Sequence, residues 1–76
     1  MKKLSEMSPG AEGRVKELNG DGRFLSRITS MGLTPGCRVE ILRNEKKQPM
    51  LIYSRDTMVA LNRSECEKIL IEGMGE

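Results

Sequence analysis

The sequence predicts an all-β domain with one inserted helix, its five short strands curled into a small antiparallel barrel. Three observations predict it. Beyond Gly36 the apolar residues alternate in short runs, around 39–41, 50–54, 58–61 and 69–71, separated by polar or turn-forming residues. Residues 23–31 instead place their apolar side chains at 24, 25, 28 and 31, which is one stripe of a helix. The chain of 76 residues has one Phe, one Tyr and no Trp, enough for a single domain (1–76) around an aliphatic core. Closing the strands into a barrel would remove exposed sheet edges.

Taken in order, Leu4 and Met7 are spaced for one face of a short turn, and Ser8-Pro9-Gly10 forms the next turn. Residues 12–18 read as a first strand, in which Gly13 signals a bulge or a close backbone approach. Asn19-Gly20-Asp21-Gly22 breaks the chain, and Asp21 is suited to cap the helix that follows. That helix meets a dense stop signal, Met31-Gly32-Leu33-Thr34-Pro35-Gly36. Gly32 can take the left-handed conformation that ends a helix, and Leu33 can fold back on the last turn. Pro35-Gly36 suits the centre of a type II turn. Thr34-Pro35-Gly36 echoes Ser8-Pro9-Gly10, and each precedes an Arg-Val pair, but the likeness fades within a few residues and reads as local convergence.

Strands follow over 37–44, 50–54 and 58–61, with a polar hairpin tip at 44–48 and a tight connection at Arg55-Asp56-Thr57. Asn62-Arg63-Ser64-Glu65 has the form of a capping box and predicts one helical turn. A last strand carries Ile69 and Ile71, and the tail 73–76 should fray. The expected core is Leu4, Val15, Leu18, Phe24, Leu25, Ile28, Leu33, Val39, Ile41, Ile52, Val59, Leu61, Ile69 and Ile71.

Charge and chemistry narrow the function. The net charge of +2 is spread, with +3 on residues 1–38 and −1 on 39–76, and acids lie among the bases. No basic face for nucleic acid is indicated, and few aromatics are present for stacking on bases. No apolar run approaches the roughly 20 residues of a membrane span, and no signal segment precedes the domain, so a cytoplasmic location without membrane insertion is expected. The chain has no histidine, no Gly-rich phosphate loop and no Cys/His zinc spacing; no catalytic residue, metal site or cofactor is expected. Cys37 and Cys66 read as small buried hydrophobes held reduced.

Leu4 with Ser8-Pro9-Gly10, Val15, the helix ending in Ile28-Thr29-Ser30 and the Met-Gly-Leu-x-Pro-Gly run, Val39 and Ile41, Pro49, Ala60-Leu61 and Ile69 together resemble the FeoA family of ferrous iron transport proteins. The resemblance runs nearly end to end. It implies an SH3-like barrel and a non-enzymatic accessory module that acts on the cytoplasmic part of the membrane GTPase transporter FeoB. The structural motif is Met31, Gly32, Leu33, Pro35 and Gly36. Lys47-Gln48-Pro49 departs from the family's frequent Gly-Asp-Pro, and the two cysteines have no family role. If a partner docks at the helix exit, Arg27, Ile28 and Leu33 are the candidates; the structural alternative is that both aliphatics are core and Arg27 is only solvated. Two other functions remain open: metal sensing or iron delivery through Asp56, Glu65, Glu67 and the thiols, and RNA binding, for which no nucleic-acid face is expected. The oligomeric state is left open.

Overall fold

The computed structural model describes residues 1–73. The strands are β1 (Lys2–Lys3), β2 (Glu12–Leu18), β3 (Arg38–Arg43), β4 (Met50–Ser54), β5 (Thr57–Leu61) and β6 (Ile69–Gly73); the helices are α1 (Gly22–Ser30) and α2 (Arg63–Cys66), with a 3-10 turn at Leu4–Glu6. They form one antiparallel sheet in the order β1-β6-β2-β3-β4-β5. The sheet has six strands where five were expected. The sixth, β1, is a pair of lysines with no apolar alternation to announce it, and it forms by pairing Lys2 with Ile71 and Lys3 with Leu70. β1 and β5 end the sheet without pairing to each other, so the barrel-like wrap is not closed by hydrogen bonds. Register shifts at Val15/Glu17 and at Ile41/Arg43 supply the bends that curl it.

The local signals set the element ends. Asp21 accepts the Phe24 N–H at 2.9 Å and caps α1. At the other end Gly32 has φ +91°, its N–H donates to the Thr29 carbonyl, and the Leu33 N–H donates to the Ile28 carbonyl at 3.2 Å. These two bonds are a Schellman cap. Gly36 has φ +92° and the Cys37 N–H returns to the Thr34 carbonyl, as a type II turn requires. Asn62 and Glu65 exchange the two bonds of a capping box at the start of α2, at 2.9 and 3.2 Å.

The two Pro-Gly turns stand at opposite ends of the β2–β3 ladder. The Gly10 N–H donates to Ile41 O, and the Ile41 N–H donates to Ala11 O; at the far end the Gly36 N–H donates to Val15 O, and the Val15 N–H donates to Cys37 O. The echo in sequence thus reflects one local task performed twice, extending an antiparallel pair by one exchange of bonds at each end. Gly13 is a close approach and not a bulge. It lies opposite both Val39 and Gly73, and a Cβ there would stand 2.7 Å from the Glu72 carbonyl oxygen.

The core holds eleven of the fourteen expected residues, while Leu18, Leu25 and Val59 are half-buried against it. It also takes in Met7, Met50, Cys37 and Cys66, so both thiols lie in the apolar interior. Gly73 is the last residue of β6, paired with Gly13, and is not part of a frayed tail; the rest of that tail, 74–76, lies outside the described residues.

Candidate functional site

The helix exit is built from the core outward. Ile28 and Leu33 have 0% and 1% of their surface exposed, so neither side chain reaches the rim where a partner could touch it. Their contact follows from the Schellman cap, which turns the residue after Gly32 back over the last helical turn. Arg27 stays on the surface, but it is not merely solvated. Its Nε lies 2.8 Å from Oε2 of Glu65, whose side chain is only 9% exposed. The other oxygen, Oε1, accepts the Asn62 N–H. Arg27 therefore ties α1 to α2 through a carboxylate nearly removed from water.

Beside this exit the outer face of β3 and the β4–β5 turn enclose a cleft of about 300 Å³, with Arg38, Glu40, Tyr53, Arg55 and Asp56 around it and Val39 and Ser54 at its floor. Arg38 is paired with Glu12 across the β2–β3 ladder. The Tyr53 hydroxyl donates to Asp56 Oδ1 at 3.3 Å. Desolvation, and after it the Asp56 carboxylate, hold the Tyr53 phenol above its ordinary pKa. Below them Cys37 Sγ lies 2.9 Å from Ser54 Oγ, which in turn donates to the Arg38 carbonyl. The cleft borders the motif: a Cβ added at Gly32 would meet Arg55 Cδ at 3.6 Å.

Arg55 and Asp56 both have positive φ, 53° and 63°, and form a two-residue turn of the kind that usually carries glycine. Sequence reasoning identified the tight connection but not the cleft. Two signals pointed there, the lone tyrosine at an outward strand position and an Arg-Asp pair holding a turn without glycine.

The residues weighed for metal do not converge. The Glu65 carboxylate is taken by Arg27 and the Asn62 N–H, Cys37 is held on Ser54, and burial pushes the Cys66 thiol up to about 11. Among the described residues no group of three or more His, Cys, Asp or Glu side chains is placed to hold a metal ion. No helix among them is long and apolar enough to cross a membrane.

A curled antiparallel sheet with a helix between β2 and β3, and a mixed-charge cleft at the helix exit, define a small SH3-like module. A crystal structure titled iron uptake regulatory protein (FeoA) superposes with a TM-score of 0.92 at 27% identity, covering 96% of this chain and 97% of that one. A candidate Fe(2+) transport protein A of Methanocaldococcus jannaschii is 28% identical over 69 residues, 91% of this chain and 83% of its own length. A Stenotrophomonas maltophilia FeoA, described as a prokaryotic SH3 domain protein, superposes with a TM-score of 0.81 at 19% identity over 95% of this chain and 91% of its own, which bears on the fold alone. The FeoA domain model matches residues 2–73, and the chain belongs to the FeoA family, associated with ferrous iron transport.

Proposed function

We propose that this chain is a non-catalytic cytoplasmic accessory of ferrous iron uptake that docks on the cytoplasmic part of the FeoB transporter, with the Tyr53–Arg55 cleft as the contacting surface. The observation that carries the reading is the cleft's position. The backbone motif most specific to the family ends α1 where Arg55 lies over Gly32, so the motif shapes the wall of an open, polar and aromatic recess. Tyrosine and arginine are also the residue types that most often dominate protein interfaces. Ile28 and Leu33 enter this reading by fixing the helix exit from beneath, and Arg27 by locking that exit to α2.

The test is a pull-down with the cytoplasmic part of FeoB, using Tyr53→Ala and Arg55→Glu. Tyr53 and Arg55 are exposed, so the variants should melt near the unsubstituted protein while losing most of the transporter domain. Retention of full binding by both variants refutes the cleft. Absence of binding by the unsubstituted chain, with iron uptake unchanged on its deletion, refutes the docking function itself.

A further inference from the structure

The two edges of the sheet are not alike. β1 is two residues long and both are lysines, so a second copy meeting it edge to edge would set lysine against lysine. β5 has none of the usual protections. Thr57-Met58-Val59-Ala60-Leu61 is five residues long, carries no charge and no proline, and runs along β4 without a register shift. Thr57, Met58 and Ala60 are open to solvent, Met58 at 61% exposed, while Val59 is half-buried against the core and Leu61 is buried. Natural edge strands of this length and character are normally blocked or paired.

Ladder geometry then fixes what the edge can pair with. The Arg55-Asp56 turn closes on the Ser54–Thr57 pair, and bonded pairs alternate along an antiparallel ladder. Thr57, Val59 and Leu61 therefore direct their backbone groups at β4. Met58 and Ala60 direct theirs outward, two N–H and two C=O groups without a partner strand among the described residues.

We propose that β5 is a self-association strand on which a second copy of this chain docks, antiparallel, about a two-fold axis through Val59. In that register Met58 of each copy exchanges two bonds with Ala60 of the other, so all four outward groups on each copy are used. A shift by two residues toward the turn would set Ala60 against Asp56, which is held out of the strand conformation at φ 63°. A shift the other way would pair Met58 with Asn62, the cap of α2, whose N–H is already given to Glu65. Side chains agree with the central register: on the outer face long Met58 meets small Ala60 twice, flanked by Tyr53 and Leu51 of each sheet. Within the paired stretch, 57–61, neither copy carries a charge. A two-fold pairing of identical edges closes at two copies and leaves no β5 edge to extend. The proposal goes beyond transporter docking and does not depend on it.

Sedimentation velocity from micromolar to millimolar protein tests it, on the unsubstituted chain, Ala60→Pro and Met58→Lys. Proline at 60 removes an outward N–H that β4 does not use, and lysine at 58 adds the missing edge charge at an exposed site. The unsubstituted chain should show a monomer–dimer equilibrium, with amide exchange at Met58 and Ala60 slowing as dimer forms. Each variant should keep its circular dichroism and dissociate about tenfold more readily or more, equivalent to about 1.4 kcal/mol. If Ala60→Pro fails to fold, Met58→Lys alone decides. A chain monomeric up to millimolar, one that grows past the dimer, or a dimer indifferent to Met58→Lys overturns the proposal.

Discussion

Arg27→Ala should destabilise the protein through Glu65, and the size of the effect follows from how water reaches the two side chains. Breaking a fully buried ion pair costs about 3–5 kcal/mol because a charge is left uncompensated, whereas an exposed pair contributes about 0–1. Here the carboxylate is 9% exposed and the guanidinium is 57% exposed. Solvent therefore screens one side only, and about 1–2 kcal/mol is expected. The Asn62 N–H remains on Oε1 and limits the loss. For a domain of this size each kcal/mol shifts Tm by about 4–8 °C.

Glu65→Gln keeps an oxygen for the Asn62 N–H but removes the charge, so Arg27→Ala in that background should cost about 0.5 kcal/mol or less. The double-mutant cycle then gives a coupling of about 1 kcal/mol. Urea denaturation followed by circular dichroism is the assay, since an ionic denaturant would screen the pair. Equal costs of Arg27→Ala in both backgrounds would refute the reasoning. They would also release Arg27 from a structural role and return it to the list of docking residues.

Three further outcomes are expected. Gly32→Ala should cost about 1–2 kcal/mol in urea titration because φ +91° strains any side chain, although nothing closer than Arg55 Cδ opposes the added methyl; a neutral change would mean the cap adjusts. Gly13→Ala should be more damaging, since its Cβ would stand 2.7 Å from the Glu72 carbonyl on a neighbouring strand, and loss of the cooperative melt is the readout. The buried Cys66 thiol is raised from about 9 to about 11, so its contribution to stability is intact below pH 9 and lost as pH climbs towards 11. Stability measured across that window should fall more steeply than in Cys66→Ala, and Cys66 should resist iodoacetamide in the folded state.

What could be read from the sequence divides by distance along the chain. Both helix caps, the Gly32 exit and the Pro35-Gly36 turn were legible because each is a bargain between residues at most five apart. The strand cores were legible because period-two alternation reports a buried face. β1 was not, since two lysines have no pattern and the strand exists only where β6 offers an edge. Met50 opens the expected strand 50–54 but is missing from the expected core, yet it sits fully buried opposite Leu61. The Arg27–Glu65 pair joins residues far apart in sequence, and no local rule foresees it. The cleft is hidden for the same reason. It needs β3 and β4 in register at Glu40 and Tyr53 before Arg38 and Arg55 can share a recess.

That division bears on how the motif connects with function. A Schellman cap and a type II turn four residues apart leave the chain almost no freedom between α1 and β3, so Arg38 follows at a fixed place and angle. Gly32 adds a second effect. Lacking a side chain, it leaves room for the aliphatic part of Arg55 to lie across the helix exit, which closes the cleft on that side. A side chain larger than methyl at 32 would act twice, straining the backbone and displacing Arg55. Stability and docking should then fall together at position 32 but separate at position 55, where Arg55→Glu leaves the backbone alone. If Gly32→Leu, whose side chain reaches past a methyl into the space of Arg55, weakens the fold yet leaves transporter binding untouched at temperatures where it is folded, the motif serves the backbone only and the recess beside it is not where the partner sits.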